Sequence, residues 1–370
     1  VPLESYLEQE LQALEEQGLL RARPVPRPAE ESLVDICTND YLGYARRDVS
    51  RETVGPAGAG ASRLVHGSHR HHYELERELA DWCGTEDALV FASSFAANVG
   101  LVSALARPGD LIVSDQHNHA SVVDGCRLSR ARVVVVPHCD AEAVARALQE
   151  PAARRRWVVS ESYFSMDGDS PDLVKLRALA DAGDASLIVD EAHALGVFGP
   201  EGSGVCRARG VRPDALVGGL GKGLGVQGGF VAGSRSLIHY LANRARPFVF
   251  STGISPCLAA VALDHVRAVR RDDDARQRLR SRCTLFSSLL EEHALARGVS
   301  GPIYPIILGS PDRALRAVAR LAAEGYLAQA IRPPTVPAQT SRLRIAVHAD
   351  HTNAQLEKLA SVLSSICRES

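Results

Sequence analysis

Between residues 70 and 233 short apolar runs alternate with helical stretches, and this rhythm constrains the fold more than any other feature of the chain. HHYELERELADWCG (71–84) reads as a helix ending at Gly84, and DALVFAS (87–93) as a strand. FAANVGLVSALA (95–106) follows as a helix stopped by Pro108-Gly109, then DLIVSD (110–115) as a strand. RVVVVP (132–137), RWVVSES (156–162), SLIVD (186–190), DALVGG (214–219) and GGFVAG (228–233) continue the series. Strands so short and apolar, most with helical or loop segments between them, predict an α/β domain whose mainly parallel sheet is covered on both faces.

On either side the rhythm changes. Leu3, Tyr6, Leu7, Leu11 and Leu14 recur at helical spacing and predict an amphipathic opening helix. Arg23-Pro24-Val25-Pro26-Arg27-Pro28 breaks it and predicts an extended connector. Beyond about residue 268, the strands PIYPIIL (302–308), LAQAI (327–331) and RLRIAVH (342–348) interleave with the helices RALRAVARLAAEG and NAQLEKLASVLSSI. That predicts a smaller α+β domain packed with the N-terminal segment. The expected division is 1–45 for the opening helix and connector, 46–268 for the large domain and 269–370 for the small one.

Composition narrows the function classes. The chain has 370 residues, with 42 Lys+Arg against 44 Asp+Glu and a formal charge of −2. Near-neutral charge without a long basic block argues against nucleic acid as the main partner. No apolar run approaches the ~18 residues of a membrane span, and the polar, acidic opening VPLESYLEQE is unlike a signal peptide. Eight cysteines are scattered without a Cys-x-x-Cys pair, which reads as reduced thiols in a cytoplasmic protein.

Among the 42 basic residues only Lys175, Lys222 and Lys358 are lysines. Lys175 and Lys358 lie in amphipathic helical patterns and read as solvated. Lys222 lies in VGGLGKGLGVQGG, a glycine-rich segment following an apolar strand. Only a deprotonatable amine forms an imine with a carbonyl, and guanidinium does not. Lys222 is therefore the leading candidate for covalent chemistry.

In open parallel α/β sheets ligands bind beyond the carboxyl ends of the strands, so the loops there carry the argument. SLIVDEAH ends a strand in Asp190 with His193 three residues on; a buried carboxylate there calls for a cationic partner, or else caps a helix. DEAH is also a helicase box, but that reading needs GxxxxGK[ST], and Lys222 is followed by Gly223. VSDQHNHAS carries His117 and His119, readable as metal ligands, as a ring face for a planar ligand, or as solvated loop residues. His66, His69, His71 and His72 lack the cysteine or paired acids a metal site would need, so no metal is assigned. Ser93, Ser94 and Phe95 join a strand to a helix, an arrangement suited to a phosphate as well as to an ordinary serine cap. SESYFSMDGD supplies Glu161 and Ser165. GLGKGLG lacks the spacing of a dinucleotide fingerprint. Taken together, these strand ends meet the needs of pyridoxal 5′-phosphate (PLP): an anchored phosphate, a stacked ring, a carboxylate for the pyridinium and a lysine for the aldehyde.

With these residues the chain resembles the α-oxoamine synthases, PLP-dependent transferases of fold type I, over nearly its whole length. The resemblance is carried by TNDYLG (38–43), GASRLVHGSH (60–69), FAANVG (95–100), NHAS (118–121), YFSMDGD (163–169), DEAH (190–193), GLGKGLGVQGG (219–229) and FVFSTGISP (248–256). The segment AIRPPTVPAQTSRLRIAVHADHT (330–352) is most similar to the branch that condenses L-alanine with pimeloyl-CoA, or a pimeloyl carrier protein, in biotin synthesis. The alternative within the family is an acyltransferase joining glycine or serine to a different acyl-CoA.

The resemblance implies a large domain with a mainly parallel seven-stranded sheet, a smaller α+β domain, and a homodimer with active sites at the subunit interface. It implies Lys222 as the lysine bonded to PLP and the later Cα proton acceptor, with Asp190 holding the ring nitrogen protonated. His193 and Ser165 would contact the ring hydroxyl, His119 would stack on the ring, and Ser94 and Phe95 would give N–H groups to the phosphate. Thr252 would reach the phosphate of the second subunit. Arg344 would bind the amino acid carboxylate, for which a bidentate fork is suited. Asn39 would stand on the substrate side, and Arg21 would face the distal carboxylate of the acyl substrate. Two positions depart from the family pattern. Gly219 stands where threonine is frequent, and Ser93-Ser94-Phe95 replaces Ser-Gly-aromatic, which implies rearranged phosphate anchoring with the cofactor retained.

Overall fold

The computed structural model describes residues 2–21, 33–48, 55–151, 153–295 and 301–368; the connector expected at 23–28 lies outside them. In chain order the strands are β1 (Val34–Asp35), β2 (Asp87–Phe91), β3 (Leu111–Asp115), β4 (Arg132–Val136), β5 (Arg156–Glu161), β6 (Ala185–Asp190), β7 (Ala215–Gly219), β8 (Gly229–Gly233), β9 (Ile303–Gly309), β10 (Tyr326–Leu327), β11 (Ala330–Ile331) and β12 (Ser341–Ala346). Helices α1 (Leu3–Glu16), α2 (Arg70–Cys83), α3 (Ser94–Leu105) and α4 (Ala120–Ser129) precede β5, with further helices between and after the later strands. The chain divides into two compact units. The larger holds residues 39–165 and 169–278, and the smaller holds 1–38, 166–168 and 279–370.

The larger unit is built on one sheet of seven strands in the order β2-β8-β7-β6-β5-β3-β4. All are parallel except β8, which runs antiparallel to both of its neighbours. Strands β5, β6 and β7 are buried along most or all of their length, which is why they read as continuous apolar runs. Helix α3 is apolar nearly all round and packs onto the sheet through Ala97, Leu101 and Val102, meeting Ile112, Val159 and Val217 in one core. Burying each such leucine, valine or isoleucine stabilises the unit by roughly 1.5–3 kcal/mol. Gly125 of α4 lets that helix approach closely, since a Cβ there would stand 2.9 Å from the Cβ of Val102. RVVVVP differs from expectation. It forms β4 at the end of the sheet, paired on one side only, and Val135 is 63% exposed.

The smaller unit carries the antiparallel sheet β11-β12-β9 and the two-residue parallel pair of β1 with β10. The LAQAI run is thus split between two short strands. The N-terminal segment is stitched into this unit by backbone bonds from Ala346 N to Ile36 O and from Ile36 N to Leu327 O. His351 Nε2 adds a bond to Asp35 O at 2.9 Å. Helix α1 has the expected amphipathic pattern, but none of its residues is buried. Among the described residues no helix is long and apolar enough to cross a membrane.

Candidate active site

The parallel register of the larger unit places its chemistry at one edge. Glu161 and Asp190 are the last residues of β5 and β6 and lie opposite each other in the ladder, and Asp190 pairs in turn with Val217 of β7. Lys222 follows three residues after β7, in a turn closed by Gly225 N donating to Lys222 O. His119 follows β3, and Ser94 begins α3 just after β2. Because β8 is antiparallel, its first residue, Gly229, reaches this same edge opposite Phe91. A Cβ on Gly229 would fall 2.2 Å from Ser94 N, so only glycine lets the strand back onto the start of α3.

Asp190 is 6% exposed, and each of its carboxylate oxygens accepts a hydrogen bond. Its Oδ2 accepts from Asn98 Nδ2 at 2.6 Å, and its Oδ1 accepts from Ala192 N at 2.8 Å, a local turn in place of the helix cap that the sequence also allowed. Asn98 Nδ2 also donates to Ser121 Oγ at 3.0 Å. Ser121 approaches His119 Nδ1 with its hydroxyl at 2.8 Å and donates its backbone N–H to the same nitrogen at 3.2 Å. The His119 Nδ1 lone pair is therefore occupied as an acceptor, which puts the ring proton of the neutral form on Nε2. His119 is exposed as a residue, yet the protein packed around its imidazole lowers its pKa. The Asp190 charge opposes this shift and the Lys222 charge adds to it.

Glu161 lies deeper, at 2% exposure. Its Oε1 accepts the backbone N–H of His119 at 2.7 Å, and the Ser165 N–H also bonds to its carboxyl. Burial and the neighbouring Asp190 charge push this carboxyl up to about 8, against the opposing effects of Lys222 and the two N–H donors. Ser165 and His193 are both buried at 6% exposure. Tyr41 Oη lies 2.8 Å from His193 Nδ1 and donates to Asn39 Oδ1 at 3.3 Å.

Ser93 caps α3 by accepting from Ala96 N, and the first bond of the helix runs from Ala97 N to Ser93 O. The N–H groups of Ser94 and Phe95 thus precede the intrahelical ladder, as donors suited to an anion. The Phe95 ring stands edge-on to His119 with centroids 6.2 Å apart. The larger unit therefore brings Lys222, Asp190, His119, His193, Ser165, Ser94 and Phe95 to one strand edge, with Asn39 reached through Tyr41. Thr252 is exposed on a separate loop, held by bonds from Gly253 N to Ala61 O and from His72 Nε2 to Ile254 O. Arg344 and Arg21 belong to the smaller unit. Arg344 is 5% exposed on β12, opposite Pro305, and its charge reaches Cys37. Arg21 donates to Thr335 Oγ1 at 3.2 Å. At Gly219 a Cβ would stand 3.1 Å from the Cβ of Ala192, so a side chain there needs only a small adjustment.

These residues fit PLP: a buried carboxylate for a pyridinium nitrogen, an amine for an aldehyde and paired N–H groups at a helix start for a phosphate. Of the histidines in 66–72, His69 is the N-cap of α2, and its backbone N–H donates to His72 Nδ1. Among the described residues of the larger unit, Asp115, His138 and Cys139 form a group of potential metal ligands. There His138 is already clamped between Asp115 and Asp169, at 2.9 and 3.0 Å. A cavity of about 830 Å³ lined by Ser186, Ala215, Leu216 and Gly233 opens at the opposite strand ends, away from the chemistry. Sequence reasoning did not single out Asn98 or Tyr41. A lone Asn in an otherwise apolar helix was the available signal for the first.

A mainly parallel sheet, a carboxylate at one strand end and a glycine-flanked lysine after the next define a class, and this chain belongs to the aminotransferase class I and II family, whose model matches residues 31–363. Within it the chain is similar to relatives named 8-amino-7-oxononanoate synthase. The relative from Anaeromyxobacter dehalogenans is 44% identical over 96% of this chain and 94% of the relative. That from Methylococcus capsulatus is 44% identical over 90% and 88%. Among solved structures, a serine palmitoyltransferase from S. paucimobilis with a bound PLP–myriocin aldimine matches with TM-score 0.90 and 27% identity over 100% of this chain and 99% of that one. An 8-amino-7-oxononanoate synthase from Francisella tularensis matches with TM-score 0.78 and 25% identity over 92% and 99%. Both neighbours are α-oxoamine synthases, the branch expected from the sequence.

Proposed function

We propose that this chain condenses L-alanine with a pimeloyl thioester, with loss of carbon dioxide, to give 8-amino-7-oxononanoate, and that it works as a cytoplasmic PLP-dependent homodimer. The observation that carries the reading is the hydrogen-bonded chain from buried Asp190 through Asn98 and Ser121 to His119, on the strand edge that also holds Lys222, an arrangement suited to a protonated heteroaromatic ring. When bound, PLP supplies an electron sink for the pair left at Cα. Asp190, fixed by Asn98 and Ala192 N, keeps its charge directed at the ring nitrogen. His119, neutral and oriented by Ser121, offers its ring face. His193 and Ser165 take the ring hydroxyl, and the Ser94 and Phe95 N–H groups take the phosphate. Thr252, exposed on its loop, adds a phosphate contact across the dimer. Lys222 would hold the cofactor, and its amine would accept and return the proton at Cα. Arg344 binds the alanine carboxylate, Asn39 lines the substrate side and Arg21 faces the distal carboxylate of the acyl chain.

A second reading, serine with a long acyl thioester, draws on the higher structural similarity to serine palmitoyltransferase. Sequence identity of 44% against 27% favours the first. An assay of alanine, glycine and serine against pimeloyl, acetyl, succinyl and palmitoyl thioesters separates them. Alanine with the pimeloyl thioester is expected to give the highest kcat/KM; serine with palmitoyl-CoA in that place would overturn the proposal.

A further inference from the structure

We infer that Tyr41 is a positioning residue of this site, setting which nitrogen of His193 carries the proton and tying that histidine to Asn39. The inference rests on the functional reading above, which gives His193 and Asn39 their roles. Tyr41 is fully buried, so its hydroxyl must find partners within the protein. Its contacts include His193 Nδ1 at 2.8 Å and Asn39 Oδ1 at 3.3 Å. A hydroxyl has one proton to give, and an amide oxygen only accepts. Both contacts are therefore satisfied by one arrangement, in which His193 Nδ1–H donates to Tyr41 Oη and Tyr41 O–H donates to Asn39 Oδ1. The neutral His193 ring then carries its lone pair on Nε2, the nitrogen that would accept from the ring hydroxyl of the cofactor.

The same hydroxyl holds Asn39 at the start of the larger unit, so the ring-side histidine and the substrate-side amide share one anchor. A phenol in this position does what a carboxylate or backbone carbonyl does behind many functional histidines: it selects the tautomer from the rear. Unlike those acceptors it passes a bond onward, so removing it disturbs two roles at once.

Tyr41→Phe keeps the ring in its core position and deletes only the hydroxyl. Nitrogen-15 spectra of the histidine-labelled holoenzyme, assigned with His193→Gln, are expected to show His193 as the Nδ1–H tautomer and to lose that preference in Y41F. The KM for the amino acid is expected to rise about five- to tenfold, the worth of one hydrogen bond to a positioned polar group, with a smaller fall in kcat. Asn39→Ala, which removes the terminal acceptor and leaves the buried phenol in place, is expected to weaken the same tautomer preference and serves if Y41F does not fold. A wild-type proton on Nε2, or an unchanged tautomer in either variant, would overturn the inference. The tautomer is read without substrate, so an enzyme with another acyl substrate would still show it, and the two readings fail separately.

Discussion

Replacing Glu161 with glutamine probes the electrostatics of the strand edge without changing its shape. This carboxyl is 2% exposed, faces Asp190 across the ladder, and is pushed up from its ordinary 4.5 to about 8 by burial and by that charge. The unfolded chain releases the same proton near its ordinary value. Between the two values the folded state holds a proton that the unfolded state has lost, so stability falls as pH rises through this window. Above the folded value both states are ionised and the loss is complete. A span of about 3.5 units at about 1.4 kcal/mol each gives roughly 5 kcal/mol between mildly acidic and mildly alkaline solution. Glutamine keeps the acceptor for the His119 N–H, has no proton to lose, and offers its amide to Asp190. Urea unfolding of both proteins at about pH 5, 6.5 and 8 tests this through the midpoint and slope. E161Q is expected to gain on the wild type steadily with pH, by several kcal/mol in all. A wild-type-to-variant difference that stays constant with pH, or that reverses in sign, would refute the assignment of a retained proton to Glu161.

Gly229→Ala drives a methyl into the backbone at Ser94, which cannot swing aside as a side chain would. It is expected to cost about 1–3 kcal/mol through overpacking and to weaken PLP binding at least about tenfold by displacing the phosphate turn, read by thermal unfolding and by cofactor titration. Unchanged PLP affinity would remove the Ser94–Phe95 turn from the phosphate site. Arg63 forks onto Glu76 at 2.9 and 3.0 Å, with both side chains under 10% exposed. Arg63→Ala strands that carboxylate and is expected to lose about 3–5 kcal/mol in urea unfolding, part of which Glu76→Gln added to it should restore.

The alternating pattern was enough to read the sheet because β5, β6 and β7 are covered on both faces and so leave continuous apolar runs in the sequence. Direction was not legible. GGFVAG looks like its neighbours, yet β8 runs against them, and no local residue encodes that reversal. Nor was the exposure of Val135 legible, because an edge strand and an inner strand differ only in who sits beside them. Lys222 stood out since arginine fills nearly every other basic position. The partners that orient the site did not stand out, for a physical reason: Asn98 meets Asp190 across 92 residues, and Tyr41 meets His193 across 152. Such contacts are made by topology, and single-sequence patterns report only neighbours along a helix or strand.

The proposed function requires Lys222 to be the amine that holds the cofactor. Borohydride reduction of the PLP-loaded protein, followed by proteolysis and mass spectrometry of the peptides, reads this directly, because the chain offers only Lys175, Lys222 and Lys358 as lysines. The pyridoxyl mass is expected on the peptide containing Lys222 and on neither of the others. Its appearance on Lys175 or Lys358 in place of Lys222, or on no peptide at all, would contradict that role for Lys222.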